Sequence, residues 1–163
     1  MRSLHEKIAG EILPQCAERL KREGVISAYY VDTKQFEIFP IKDSEPVTIR
    51  PDLVLCLADK RKVAVEVANP RDPKRFVGEL ISPHFLVSSK KVDAAIVFVL
   101  PYVDSRKVKR IDSRPMVQDI ALGIKGISSP KIIGIHLDTS NSETICNVLH
   151  DSLKDYQRNG KFY

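Results

Sequence analysis

Two acidic residues stand where the surrounding sequence is apolar. Asp52 follows Pro51 at the mouth of the apolar segment 53–58, and Glu66 interrupts the segment 63–68, with thirteen residues between the two acids. Side chains alternate faces along a strand, so Val63, Val65 and Val67 point one way while Ala64, Glu66 and Ala68 point the other. The valine face is core; the opposite face offers a carboxylate flanked by two small residues. The charged tip Asp59-Lys60-Arg61-Lys62 between the segments predicts a hairpin, which brings Asp52 beside Glu66. Two carboxylates that close repel unless a cation lies between them, and oxygen donors of this kind suit Mg²⁺ or Mn²⁺. A metal there would polarise a phosphate and lower the pKa of a bound water. Taken alone, Asp52 reads first as the start of a strand. Glu66 reads as a site, because an unpaired carboxylate inside an apolar strand is costly.

The elements that position these acids follow from the apolar spacing. Leu4, Ile8, Ile12, Cys16 and Leu20 recur every fourth residue, which predicts a helix capped by Ser3, ending at Gly24 and kinked or divided at Pro14. Segments 25–30 and 35–39 are expected to form a first hairpin, with Tyr29 and Tyr30 on opposite faces, and residues 42–46 a loop. Asp72-Pro73 is a helix start, continued by Phe76, Val77, Leu80, Ile81 and Phe85, bent at Pro83 and ending near Lys90. His84 on that helix reads as a packed or capping histidine. The apolar runs 94–100 and 131–137 suit strands buried on both faces. Between them come Arg106, Lys107, Lys109, Arg110 and Arg114, then a short helix over 116–124. A last helix, capped by Asp138, Thr139 or Ser140, carries Ile145, Val148, Leu149, Leu153 and Tyr156, and the tail 158–163 is expected to fray. The order α-β-β-β-β-α-β-α-β-α predicts one α/β domain over 1–163, its core at about 3–137 and its last helix at about 140–157.

A chain of 163 residues that is 43% apolar can bury a core without disulfide support. No apolar run approaches the roughly 18 residues of a membrane span, and the charged start is unlike a signal peptide, so an intracellular, cytoplasmic protein without a membrane role is expected. Three cysteines with no paired spacing read as reduced core residues rather than as a zinc site or disulfide framework. The four histidines lack the H-E-x-x-H spacing, and neither a nucleotide-binding glycine loop nor a G-x-S-x-G elbow occurs. Lysine and arginine total 26 against 21 acids, a formal charge of +5 that favours an anionic partner. The excess gathers at 60–62, 71–75 and 106–114, as a DNA-binding rim would, or as solvated loops do.

Pro51-Asp52, Glu66 and the run Asn69-Pro70-Arg71-Asp72-Pro73-Lys74 leading into a helix resemble the PD-(D/E)xK nuclease superfamily. This restriction-endonuclease-like group includes archaeal Holliday-junction resolvases. The likeness covers about two thirds of the chain and rests on motif order and spacing. It implies a mixed central β-sheet flanked by helices, with metal-dependent DNA hydrolysis in which Asp52 and Glu66 hold Mg²⁺ or Mn²⁺. The family lysine, which holds or activates the attacking water, would fall at position 68, where this chain has Ala68. That lysine migrates to the following helix in some members, and Lys74 is the nearest replacement. Arg71 and Arg75 are better suited to gripping phosphate than to exchanging a proton. Glu11 is the preferred counterpart of the family's helix glutamate, with Glu6 second; both also read as helix-surface charge, Glu6 as the capping-box partner of Ser3. Arg71, Arg75, Arg106, Lys107, Lys109 and Arg110 are the expected DNA contacts. Many nucleases of this fold act as homodimers, and an exposed last helix or strand is where a second copy would pair. The missing lysine favours an alternative, a catalytically inactive nuclease-fold DNA-binding or scaffold module. A structural or regulatory protein without a nucleic-acid role is the third.

Overall fold

The computed structural model describes residues 3–71, 73–104, 109–111 and 130–162. Its N-terminal helix comes in three pieces: α1 (Leu4–Lys7), a π-helical turn (Ile8–Ile12) and α2 (Leu13–Arg22). Ser3 opens it with the expected capping box, its hydroxyl accepting from the Glu6 N–H while Glu6 Oε2 accepts from the Ser3 N–H. Pro14 explains the π turn. It brings no N–H, and its ring crowds the carbonyl four residues back, so the chain widens and the Leu13 N–H reaches Ile8 O instead. Gly24, at φ 73°, closes α2 in a Schellman motif, with Val25 N–H donating to Leu20 O and Gly24 N–H to Lys21 O.

The strands are β1 (Ile26–Val31), β2 (Phe36–Phe39), β3 (Val47–Ile49), β4 (Leu53–Leu57), β5 (Lys62–Ala68), β6 (Ala94–Val99), β7 (Tyr102–Asp104), β8 (Lys109–Ile111) and β9 (Ile132–His136). Helix α3 (Pro73–Ser88) follows β5, and α4 (Ser142–Asn159) follows β9. The central mixed sheet has the order β1-β4-β5-β6-β9, antiparallel as far as β5 and parallel beyond it. This is the expected α/β architecture with helices on both faces. The hairpin of β4 and β5 forms as expected, but the one predicted from 25–30 and 35–39 does not. β1 pairs with β4, and β2 pairs with β3 in a separate ribbon. Local alternation shows that a strand exists; its partner is chosen by burial, which puts Ile26 in the core opposite Leu57 while Phe36 packs across the sheet on Val54, Ala64 and Leu86.

Both faces of β5 are covered. Val63, Val65 and Val67 join Leu53, Leu55, Ile96 and Phe98 in the main core beneath α2 and α4, whereas Ala64 and Ala68 face the α3 side. β6 is buried throughout, as expected. β9 is only half-buried because it is the sheet edge. Three further expectations are corrected at the C-terminus and core. Asn141, not a residue of 138–140, caps α4, its side chain accepting from the Thr144 N–H. The tail is docked rather than frayed: Phe162 is buried, stacks on Tyr156 at 5.1 Å and donates its N–H to Pro130 O. Cys16 and Cys146 are core residues, but they are joined by a disulfide that fastens α2 to α4, while Cys56 is free. No spacing rule could pair cysteines 130 positions apart. Among the described residues no helix is long and apolar enough to cross a membrane. Arg106, Lys107, Arg114 and the helix expected over 116–124 lie outside the described residues; Lys109 and Arg110 fall on β8.

Candidate carboxylate site

The register of β4 against β5 places Leu53 opposite Val65, so the residue before Leu53 falls opposite Glu66. That residue is Asp52, and the two acids are laced together through the backbone. Asp52 N–H donates to Glu66 Oε2 at 3.4 Å, and Val67 N–H donates to Asp52 Oδ2 at 2.8 Å. The Asp52 carbonyl in turn accepts from Asp32 N–H at 2.8 Å, which ties the end of β1 to the same corner.

A third carboxylate, missed in the sequence, lies close by. Glu79 sits on the α3 stripe formed by Phe76, Leu80, Pro83 and Leu86, and is only 7% exposed. Its Oε2 accepts from Asn69 N–H at 2.8 Å and its Oε1 from Arg75 Nε at 2.5 Å. The signal was available, since an acid at the third position after Phe76 faces the core, but the apolar residues around it complete the helical pattern without it.

These neighbours set the protonation of the pair. Burial pushes the Glu66 carboxyl up from 4.5 to about 8, and the charges of Asp52 and Glu79 push in the same direction while Arg75 pulls it back. Burial also raises Asp52, against the Val67 N–H and His5, which favour its ionised form. His5, the second residue that spacing rules passed over, brings Nε2 to 3.7 Å from Asp52 Oδ2. It does so because the Ser3 capping box starts α1 beside the corner where β1 ends and β4 begins. His5 and Asp52 line a cavity of about 490 Å³ together with Glu6, Ala9, Gly10, Val31 and Asp32.

The other expected site residues are less tightly gathered. Glu11 is half-buried in the π turn and is not among the residues lining that cavity. Lys74 is exposed in the first turn of α3, Arg71 is exposed on the β5–α3 connection, and Arg75 is engaged with Glu79. Ala68, where the family lysine would stand, is fully buried. The basic tip at 60–62 is at the far end of the β4–β5 hairpin, about 15 Å from the acids at some 3.3 Å per residue. There Arg61 pairs with Asp59 and donates to the carbonyls of Tyr156 and Gln157, a capping role for α4.

Two carboxylates with water completing the shell are a donor set of the kind that a hard divalent cation such as Mg²⁺ takes. A cation would favour the ionised forms that burial disfavours. Among the described residues, no group of three or more histidine, cysteine or acidic side chains could hold a metal ion. Comparison of the chain with protein-family models, curated proteins and solved structures gives no match in any of the three.

Proposed function

We propose that the protein is a metal-dependent DNA nuclease of the PD-(D/E)xK kind, in which Asp52 and Glu66 hold Mg²⁺ or Mn²⁺. The observation that carries this reading is the facing of two carboxylates across β4 and β5, with the Glu66 carboxyl held near 8. Such an arrangement weakens the fold unless a cation uses it. The strand order lends support: an N-terminal helix, three antiparallel strands, a helix and a parallel fourth strand are what the restriction-endonuclease-like fold requires.

A divalent ion bound there would polarise the scissile phosphodiester and sharpen a water for in-line attack. The chain's own residues supply the rest. Arg71 and Arg75, which follow β5 in the chain, grip the DNA backbone together with Arg106, Lys107, Lys109 and Arg110. Lys74 positions the attacking water in place of a lysine at 68, and Glu11 adds to the acidic shell from the π turn. A second reading, the inactive DNA-binding module, is favoured by the buried Ala68.

Incubation with supercoiled, single-stranded and branched DNA in Mg²⁺ or Mn²⁺ tests the proposal. Cleavage lost in both Asp52→Ala and Glu66→Ala is the expected result, and cleavage that survives either change rejects the site. Salt-sensitive binding without cleavage selects the inactive module. Lys74→Ala should slow cleavage by about 10²-fold or more, the usual contribution of a positioned proton-transfer group. An unchanged rate in that variant removes Lys74 from the mechanism.

A further inference from the structure

We propose that the cavity beside Asp52 receives an unpaired nucleobase, so that the substrate is DNA carrying an unstacked nucleotide next to the scissile phosphate. This rests on the nuclease reading above, since it names the class of DNA that the same site takes.

The cavity, of about 490 Å³, falls within the roughly 300–1,000 Å³ of small-molecule sites. Its wall joins two elements to the acid pair: Ala9 and Gly10 come from the N-terminal helix, Val31 and Asp32 from the place where β1 ends, and Asp52 from the pair itself. Among the described residues that line it there is no lysine or arginine, whereas Glu6, Asp32 and Asp52 are acids. A phosphate is repelled from such a space and a neutral base is not, so a nucleotide enters it base first.

The lining suits a base in three respects. Ala9 and Val31 are apolar and small enough to leave room for a flat ring. His5 is the aromatic ring among the lining residues, and histidine is one of the side chains on which unstacked bases lie. Asp32 supplies an acceptor: its Oδ1 pairs with Arg50 Nε at 3.1 Å, which leaves Oδ2 for a donor such as the amino group of cytosine.

Gly10 points the same way on separate grounds. Glycine weakens a helix interior relative to alanine, and the usual reasons for keeping it are absent: its φ is not in the left-handed region, and a Cβ there would meet nothing within 4 Å. The missing side chain instead leaves the helix backbone open to whatever enters the cavity, a common use of glycine beside a ligand.

The test uses the full chain and labelled duplexes that differ at one position: fully paired, or with an unpaired cytosine, thymine or abasic residue. Binding is measured in EDTA, and cleavage positions are mapped in Mn²⁺. The wild type should bind the unpaired-cytosine duplex about tenfold tighter than the paired or abasic ones, within what one base contact supplies. It should cut at the phosphate adjoining that nucleotide. Gly10→Leu, whose side chain enters open space, should abolish the preference. Asp32→Ala, at an exposed position, should bind unpaired cytosine no better than unpaired thymine, and it serves if the first variant folds poorly. A wild type that binds DNA without distinguishing cytosine from the abasic residue, or a full preference that survives in both variants, would overturn the inference. Cleavage mapping away from the unpaired nucleotide would do the same. Absence of both binding and cleavage would instead remove the nuclease reading on which it rests.

Discussion

Replacing Glu66 by glutamine is expected to do two opposite things: to abolish metal-dependent cleavage and to stabilise the metal-free protein at alkaline pH. The first follows from removing one of two cation ligands. The loss should exceed the roughly 10–100-fold that follows removal of an outer-shell partner. The second follows from the raised carboxyl. Below 4.5 the group is protonated in both folded and unfolded chains and contributes nothing to pH dependence. Between 4.5 and about 8 the unfolded chain releases the proton while the folded one keeps it, so stability falls as pH rises through that window. Above it the full penalty applies, on the order of 5 kcal/mol at about 1.4 kcal/mol per pH unit. Asp52, also raised by burial, adds in the same direction. Urea unfolding in EDTA at pH 5 and pH 9 checks this: wild type should lose stability over the interval, and Glu66→Gln should lose much less. Parallel pH profiles for the two proteins would show that Glu66 is not a strained, buried acid.

The second large effect lies in the core. Reducing the Cys16–Cys146 disulfide, or replacing both residues with alanine, should lower stability by about 4–5 kcal/mol, because the bond closes most of the chain into one loop. That is a large share of the 5–15 kcal/mol typical of a folded domain. The measurement is the urea midpoint with and without dithiothreitol, accompanied by a thiol count in denaturant. One thiol, Cys56, is expected before reduction and three after it. Three thiols at the outset, or coincident midpoints, would contradict the bond. The same bond fastens α2 to α4, and α2 continues through the π turn from α1, which carries His5, so reduction should also loosen the wall of the cavity beside Asp52.

What could be read from the sequence was what is local. The β4–β5 hairpin, with Asp52 opposite Glu66, follows from period-two alternation on either side of a charged turn. The Ser3 capping box, the stop at Gly24 and the disturbance at Pro14 follow from backbone chemistry within a few residues. What was hidden depends on partners far along the chain. β1 could be recognised as a strand, but its choice of β4 over β2 is a matter of burying Ile26. Phe162 looked like part of a polar tail until Tyr156 and Pro130 gave it a place to dock. Glu79 carried a visible anomaly, an acid on an apolar stripe, yet its meaning required Asn69, Arg75 and Glu66 to be brought together by the turn from β5 into α3. His5 obeyed no ligand spacing because its neighbour Asp52 arrives from another element.

The central claim is that Asp52 and Glu66 form a divalent cation site, and calorimetric titration of the wild type with Mn²⁺ at pH 7, in buffers of different ionisation enthalpy, tests it most directly. Saturable binding with release of close to one proton is predicted, because the Glu66 carboxyl must give up its proton to act as a ligand, and Glu66→Gln should bind far more weakly without that release. No saturable binding, or binding to Glu66→Gln that matches the wild type, would contradict the account.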